Sequence, residues 1–277
     1  MVHPSPRLVL TIAGSDPSGG AGVQADLRVF ANHGLYGMAV ITGLTVQGGR
    51  GVRAARPVAP KMVREQLDEL LADYPIAAIK TGMLATAATV CAVADALEPY
   101  GGSIPLVVDP VIRSSSGHAL LAEDALPALV DRLLPLATVV TPNFAEAAAL
   151  LGWERVGPRR AAEASQALGA MGSSAVVVTG GHGRPGDPAV DHVFALDGFE
   201  GGSGAESYQL ISPWVDTANN HGTGCLFSAG ICCALAEGSG LKQALQHGKD
   251  CVTEGLRSSV GLGAGRGVVW LEKAPSR

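Results

Sequence analysis

Aromatic side chains are scarce, with Phe, Trp and Tyr making up 4% of the 277 residues. Charge is thin too, at 16%, and no Lys/Arg cluster stands out. The 20 basic and 25 acidic side chains leave a formal net charge of −5. Such a chain is poorly suited to nucleic acid or to an anionic membrane surface. No run reaches the ~18 uninterrupted apolar residues that a bilayer span requires. The opening residues, Met1 to Arg7, lack the charged lead and long apolar stretch of a secretory signal. A disulfide framework is missing as well. Cys91, Cys225, Cys232, Cys233 and Cys251 are odd in number and irregularly spaced, which fits a reducing cytoplasm. What remains is small and apolar. Residues of the apolar class reach 47%, enough for a large core, and the abundance of Ala, Val, Leu and Gly suits parallel strands covered by helices on both faces.

Strand and helix patterns alternate along the chain. Leu8–Ala13 reads as a buried strand, Gly14–Gly22 as a Gly-rich turn, and Gln24–Asn32 as a helix stopped by Gly34. Strands follow at Met38–Val46, Ile76–Lys80, Leu106–Asp109, Thr138–Thr141 and Ala175–Val178. Helices are predicted between them at Pro60–Ala72, Thr86–Leu97, Asp124–Leu133, Ala145–Leu150 and Ala161–Met171. Val190–Leu196 and Tyr208–Ile211 read as antiparallel edge strands around a Gly-rich turn at Glu200–Gly204. Helices at Thr223–Leu235 and Leu241–Ser258 close the chain. No linker or internal repeat interrupts the pattern, so residues 1–277 are expected to form one α/β domain, a doubly wound and mostly parallel sheet. Ligands bind such sheets outside the carboxyl ends of the strands.

Four segments fall at those ends. Gly14–Gly22 can cradle phosphate or serve as a tight turn, and Asp26, one helical turn further on, can face a ligand or solvent. Gln47 ends an apolar strand, where a carboxamide can pair with a heterocycle or be an ordinary loop residue. Asp109, Asn143 and Glu146 can hold Mg²⁺ through waters, and Asn143 with Glu146 also spells a capping box; both readings are compatible. The sharpest segment is Asn219–Gly230. Gly222, Thr223 and Gly224 lead into a long helix, so their amides form an anion hole for a transferring phosphoryl group. Cys225 falls in the first helical turn, where the dipole lowers a thiol pKa and suits the sulfur to take a proton from an alcohol; its bland alternative is a buried small residue.

The run Thr11–Asp26, together with Asn220-His221-Gly222-Thr223-Gly224-Cys225, resembles the hydroxymethylpyrimidine/phosphomethylpyrimidine kinases of thiamin biosynthesis, in the ribokinase-like superfamily. Lys80-Thr81-Gly82-Met83, Val108–Val111 and Thr141-Pro142-Asn143 extend the likeness from Leu10 to about Val260. The resemblance implies that Asp26 and Gln47 hold the pyrimidine and its hydroxymethyl arm, and that Ala21, Met83 and Val111 line the same pocket. It makes Cys225 the catalytic base, with Gly222, Thr223 and Gly224 as the anion hole. Asn143, Thr179 and Gly181 would face the nucleotide, while Asp109 and Glu146 would serve Mg²⁺. It further implies ATP as donor and a homodimer.

Departures from that pattern bear on the second phosphorylation. Thr179-Gly180-Gly181-His182 has Thr in place of the usual lysine, and the flap Ser114–Gly117 lacks a second lysine for which Arg113 can substitute in part. Leu226 replaces a threonine, and the tail around Gly261–Gly267 is altered. Pyridoxal or pyridoxine kinase is the neighbouring expectation, since those substrates are also flat nitrogen heterocycles with a hydroxymethyl arm. A heterocycle-binding protein with little turnover follows from the missing lysines. Covalent thiol chemistry at Cys225 lacks persuasive His and Asp partners, though His221 is close in sequence.

Overall fold

The computed structural model describes residues 5–181, 186–196 and 204–272. His182 and most of the turn at Glu200–Gly204 lie outside these residues. The chain alternates β1 (Leu8–Ser15), α1 (Gly22–Asn32), β2 (Tyr36–Gly48), β3 (Gly51–Pro57), α2 (Pro60–Asp73), β4 (Ile76–Thr81) and α3 (Ala87–Leu97). It continues through β5 (Leu106–Val108), α4 (Leu126–Ala128), β6 (Val139–Val140), α5 (Phe144–Leu151), α6 (Ala161–Gly169) and β7 (Ala175–Val178). The remaining elements are β8 (Ala189–Ala195), β9 (Glu206–Ser212), α7 (Thr223–Ala236) and α8 (Leu241–Arg257).

Among the described residues the strands form one nine-stranded sheet in the order β3-β2-β1-β4-β5-β6-β7-β8-β9. The six central strands run parallel; at one edge β3 pairs antiparallel with β2, and at the other β8 pairs antiparallel with β7 and β9 antiparallel with β8. The alternation of side chains sorts the core into two layers. Val9, Ala78, Val107, Val139 and Val177 face α1, α7 and α8. Leu10, Ile79, Val108, Val140, Val176 and Val178 face α2, α3, α5 and α6. Strands buried on both faces read as continuous apolar runs, which is why the pattern was visible.

Two segments differ from expectation. Strand β3 falls in a stretch to which the sequence assigns no element, since Gly51-Val-Arg-Ala-Ala-Arg-Pro57 has little β propensity; it is held as an edge by antiparallel pairing with β2, around a turn where Gly51 has φ +108°. The helix expected at Asp124–Leu133 is broken into 3₁₀ turns at Glu123–Ala125 and Leu134–Leu136, α4, and a π-helical turn at Leu129–Leu133. Pro127 and Pro135 have no N–H to donate, so a regular ladder cannot run through this stretch. Strand β1 is flanked by β2 on one side and β4 on the other. The chain therefore leaves β1 in both directions, and the crevice beyond its carboxyl end is where such sheets take ligands.

Candidate active site

Two glycine-rich turns meet at that crevice, one after β1 and one before α7. Gly222 caps α7 with φ +91°, and a Cβ there would lie 2.0 Å from the Gly20 carbonyl oxygen. A Cβ on Gly20 would in turn lie 2.4 Å from Cδ2 of His221. Only glycine allows this backbone-on-backbone approach. The first amide taken up within α7 is that of Leu226, 2.9 Å from the Gly222 carbonyl. The N–H groups of Thr223, Gly224 and Cys225 are thus left for an outside acceptor, at the positive end of a 14-residue helix. Gly224 is exposed, and Gly222 and Thr223 are half-buried, so an anion can reach them.

Gln47 sits beside this helix start. Its Nε2 lies 3.2 Å from both Asp16 Oδ2 and His221 Nε2. Asp16 Oδ2 also accepts from His221 Nε2 at 2.9 Å and from the Ala21 N–H at 3.0 Å. Its Oδ1 accepts from the N–H and hydroxyl of Ser18, at 2.9 and 2.7 Å. Burial opposes ionisation of Asp16, but the hydrogen bonds from His221 and Ser18 outweigh it and hold the carboxyl below its ordinary value. Met83 is buried below the turn, with its sulfur 2.7 Å from where a Gly14 Cβ would be and its methyl group close to Gly43. A cavity of about 180 Å³ opens above Gln47 and His221, lined also by Arg50, Arg266 and the flap residues Ser114–Ser116. The flap is moored to the β2–β3 hairpin by the Val52 N–H, which donates to Ser116 Oγ at 3.3 Å. Val111 is half-buried at the root of the flap, beside Asp109.

Asp26 is not at the pocket surface. It is fully buried, and its carboxylate accepts from Lys80 Nζ at 2.9 and 2.8 Å and from Thr11 Oγ1 at 2.6 Å. Each oxygen is committed to the protein, so the expectation that Asp26 meets the ligand is corrected: it anchors a buried ion pair below the site. Lys80 is fully buried as well; burial alone would neutralise it, but Asp26, Cys225 and Asp109 keep it charged, well above its ordinary value. The acid at the pocket is Asp16, which sequence reasoning passed over. Its signal was an Asp-Pro-Ser run directly after a strand, a sequence that builds a side-chain-to-backbone turn.

Cys225 also departs from expectation. The residue as a whole is half-buried, yet burial around its sulfur pushes the thiol up to about 12. Lys80 and the Gly22 N–H pull the other way without prevailing, and Asp26 and Asp109 add to the rise. A helix start favours a thiolate in general, but desolvation of the thiolate dominates at Cys225.

The residues expected to face the nucleotide lie beyond β5, β6 and β7. Asn143 Oδ1 caps α5 by accepting from the Ala145 and Glu146 N–H groups, and Glu146 Oε2 returns the bond by accepting from the Asn143 N–H at 3.0 Å. The capping box is therefore formed. Burial and the neighbouring Asp109 charge raise the Glu146 pKa; burial and Asp26 raise that of Asp109, against Lys80 and Ser228. Two hard-oxygen acids held above their ordinary range, chiefly by burial and then by neighbouring negative charge, suit a divalent cation. The Thr141 hydroxyl, buried without a hydrogen-bond partner at the carboxyl end of β6, adds an unused oxygen nearby. These residues fit Mg²⁺ held through waters. Thr179 pairs with Asn143 across neighbouring strand ends, and its hydroxyl points back to the Pro142 carbonyl at 3.5 Å. Gly181 beside it is exposed.

With this geometry in place, the comparisons with known proteins decide the family. A phosphomethylpyrimidine kinase family model matches residues 16–270. The chain belongs to the phosphomethylpyrimidine kinase family. It is 41% identical over 265 residues to the hydroxymethylpyrimidine/phosphomethylpyrimidine kinase of Rhizobium meliloti (strain 1021), covering 95% of this chain and 96% of that one. It is 40% identical to the thiamine biosynthesis bifunctional protein ThiED of Geobacter sulfurreducens over 96% of its own length, and spans 52% of that longer protein. Among solved structures, it resembles an ADP complex of Bacillus subtilis pyridoxal kinase with TM-score 0.85, 32% identity and 98% of each chain covered. A phosphomethylpyrimidine kinase from Clostridium difficile 630 aligns with TM-score 0.73 and 33% identity, over 90% of this chain and 98% of that one. The fold is ribokinase-like, as the resemblance in the two glycine-rich motifs implied.

Cations near the Thr179 loop and the flap are committed elsewhere or line the cavity. Lys249, on α8 near the Thr179 loop, is not a substitute for a lysine at Thr179. Its Nζ is 2.7 Å from Asp191 Oδ2, while Asp191 Oδ1 accepts the Gly180 N–H at 2.8 Å. Arg113 is exposed and turns to its own flap, donating to the Gly117 carbonyl at 3.3 Å. Arg50 and Arg266 line the cavity instead. No described helix is long and apolar enough to cross a membrane.

Proposed function

We propose that this chain transfers the γ-phosphoryl group of ATP to the hydroxymethyl oxygen of 4-amino-5-hydroxymethyl-2-methylpyrimidine, and then to the phosphate of the product. The observation that carries the reading is the open amide end of α7, beside the Gln47–Asp16–His221 cluster. A flat heterocycle in the cavity would meet the polar groups of Gln47 and His221 at its edge, with Met83 and Val111 outside the cavity lining and reached only by deeper insertion. Its hydroxymethyl arm would then face the Thr223–Cys225 amides. Those amides stabilise the charge on the moving phosphoryl group without reorganising, and phosphoryl transfer depends on positioning and charge stabilisation above all. Asn143, Thr179 and Gly181 take the nucleotide side. Asp109 and Glu146 would hold Mg²⁺ through waters, and that ion would neutralise phosphate charge.

We assign proton acceptance from the acceptor hydroxyl to Cys225. Its raised pKa makes the thiolate a minor species at neutral pH, so turnover should increase as pH rises. Arg50 and Arg266 at the cavity support acceptance of the monophosphate, whose charge needs a counterion. The five free cysteines support a reducing cytoplasm, and the exposed Leu44 and Val46 on β2 support docking of a second copy as a homodimer.

Pyridoxal kinase is the second reading, favoured by the high structural likeness to the Bacillus subtilis enzyme. ADP release measured in parallel on the hydroxymethylpyrimidine, its monophosphate and pyridoxal, at saturating Mg²⁺-ATP, separates the readings. Higher kcat/KM on the pyrimidine supports the proposal, and faster pyridoxal turnover reverses it. Heterocycle binding without ADP release would leave a binding protein.

A further inference from the structure

A second cluster of reactive side chains lies at the far end of α1. His33 caps that helix, and His247 and Cys251 stand one turn apart on α8. His33 Nε2 and His247 Nε2 are 2.7 Å apart, and Cys251 Sγ is 3.9 and 3.5 Å from them. The rings meet edge to face, with centroids 5.0 Å apart. The three ligand atoms all lie within 4.8 Å of one another. A tetrahedral Zn²⁺, with bonds of about 2.05 Å to nitrogen and about 2.3 Å to sulfur, sets nitrogens about 3.4 Å apart and sulfur about 3.6 Å from each. The sulfur contacts already bracket that value, and the ring pair needs to open by about 0.6 Å.

From this arrangement we infer that His33, His247 and Cys251 bind a borderline-soft divalent cation of the Zn²⁺ class, with solvent at the fourth position. His33 is half-buried and leaves that position open, while His247 and Cys251 are buried. The tautomers are set for it. His33 Nδ1 donates to the Val29 carbonyl at 2.8 Å, which leaves its Nε2 as a lone pair and supplies the outer hydrogen bond that metal-bound histidines use. Without metal, His247 Nε2 donates to that lone pair. On binding, His247 moves its proton to Nδ1, and the Cys251 thiol gives one proton to solvent. Burial favours the uncharged imidazole of His247, and the Asp250 charge beside it favours a cation. Glycines make room: Gly230 of α7 approaches Cys251 so closely that an added Cβ would lie 3.1 Å from its sulfur. The 11-residue α1 separates this cluster from the catalytic turn by about 16 Å, so the ion would clamp α1 to α8 and take no part in phosphoryl transfer.

The test uses the full chain, stripped with a chelator and titrated with Co²⁺ and then Zn²⁺. The expected result is one Co²⁺ per chain, a near-ultraviolet thiolate-to-cobalt band, and displacement by Zn²⁺ with a rise in Tm. Cys251→Ser should abolish the band. His33→Gln changes a half-exposed helix end, keeps the native circular dichroism, and should lower affinity at least thirtyfold. Cys225→Ser should retain the site, which separates it from the catalytic thiol. No saturable binding up to 100 μM metal, or undiminished binding by folded His33→Gln, overturns the assignment.

Discussion

Replacing Asp26 by Asn separates a buried structural acid from a substrate ligand. The native pair is fully buried, with Lys80 Nζ 2.8 Å from Asp26 Oδ2 and no solvent at either side chain. Removing one partner of such a pair strands the other charge and costs about 3–5 kcal/mol. With an unfolding entropy of about 2.1 cal/mol/K per residue over 277 residues, Tm should fall by about 5–9 °C. The pH dependence has a defined sign. In the native protein Lys80 lies above its ordinary value, so its stabilisation persists to well above neutral pH. In Asp26→Asn the buried ammonium loses both its hydrogen-bonded partner and the largest opposing charge. Asp109 compensates only in part, and the Lys80 pKa falls below the unfolded value. The unfolded chain then binds more protons, and the variant should gain stability as pH is raised from 7 to 10. Asp26→Leu with Lys80→Met removes both charges and should recover most of the loss. Thermal and urea denaturation would measure stability, and steady-state assays well below Tm should find the acceptor KM within twofold of native. Native-like stability together with a strongly raised KM would refute the buried-pair argument and return Asp26 to the ligand.

Gly222→Ala forces a Cβ to 2.0 Å from the Gly20 carbonyl at φ +91°, so the amide cradle must shift. With one oxyanion donor typically worth about 10²–10³ in rate, kcat should fall at least 100-fold while circular dichroism stays native. Because burial holds the Cys225 thiol at about 12, kcat at saturating substrates should climb from pH 7 to 9.5, and Cys225→Ser should lose that slope; a flat native profile would remove Cys225 as the base. Thr179→Lys places a cation beside Asn143 and Gly181, and should lower the KM for Mg²⁺-ATP about fivefold, near 1 kcal/mol. An unchanged KM would show that the phosphates do not pass this strand end.

Much of the architecture was legible because a sheet buried on both faces leaves uninterrupted apolar runs. β3 was not, since its pairing with β2 holds it extended despite weak propensity. In the site, glycine turns and the capping box could be read directly, because each depends on local backbone geometry. Asp26 was misread although the signal was present: Val23, Asp26, Val29 and Phe30 form one buried helical stripe, and Lys80 interrupts an otherwise apolar strand. A lone acid and a lone base in two such runs point to each other. The Cys225 pKa could not be read from position alone. The favourable dipole is a local property, whereas the larger burial cost depends on packing between α1, β4 and α7. The Asp-Pro-Ser run shows Asp16 as a turn residue, but its place at the pocket depends on Gln47 and His221, 31 and 205 residues away.

The two glycine turns touch through bare backbone, so neither can be redrawn alone. A side chain added at residue 20 displaces His221, and one added at residue 222 displaces the turn after β1. Donor and acceptor alignment is in effect a single dimension of the molecule. Attempts to broaden the range of alcohols this scaffold accepts should therefore leave that junction intact and vary the hairpin and flap that roof the cavity.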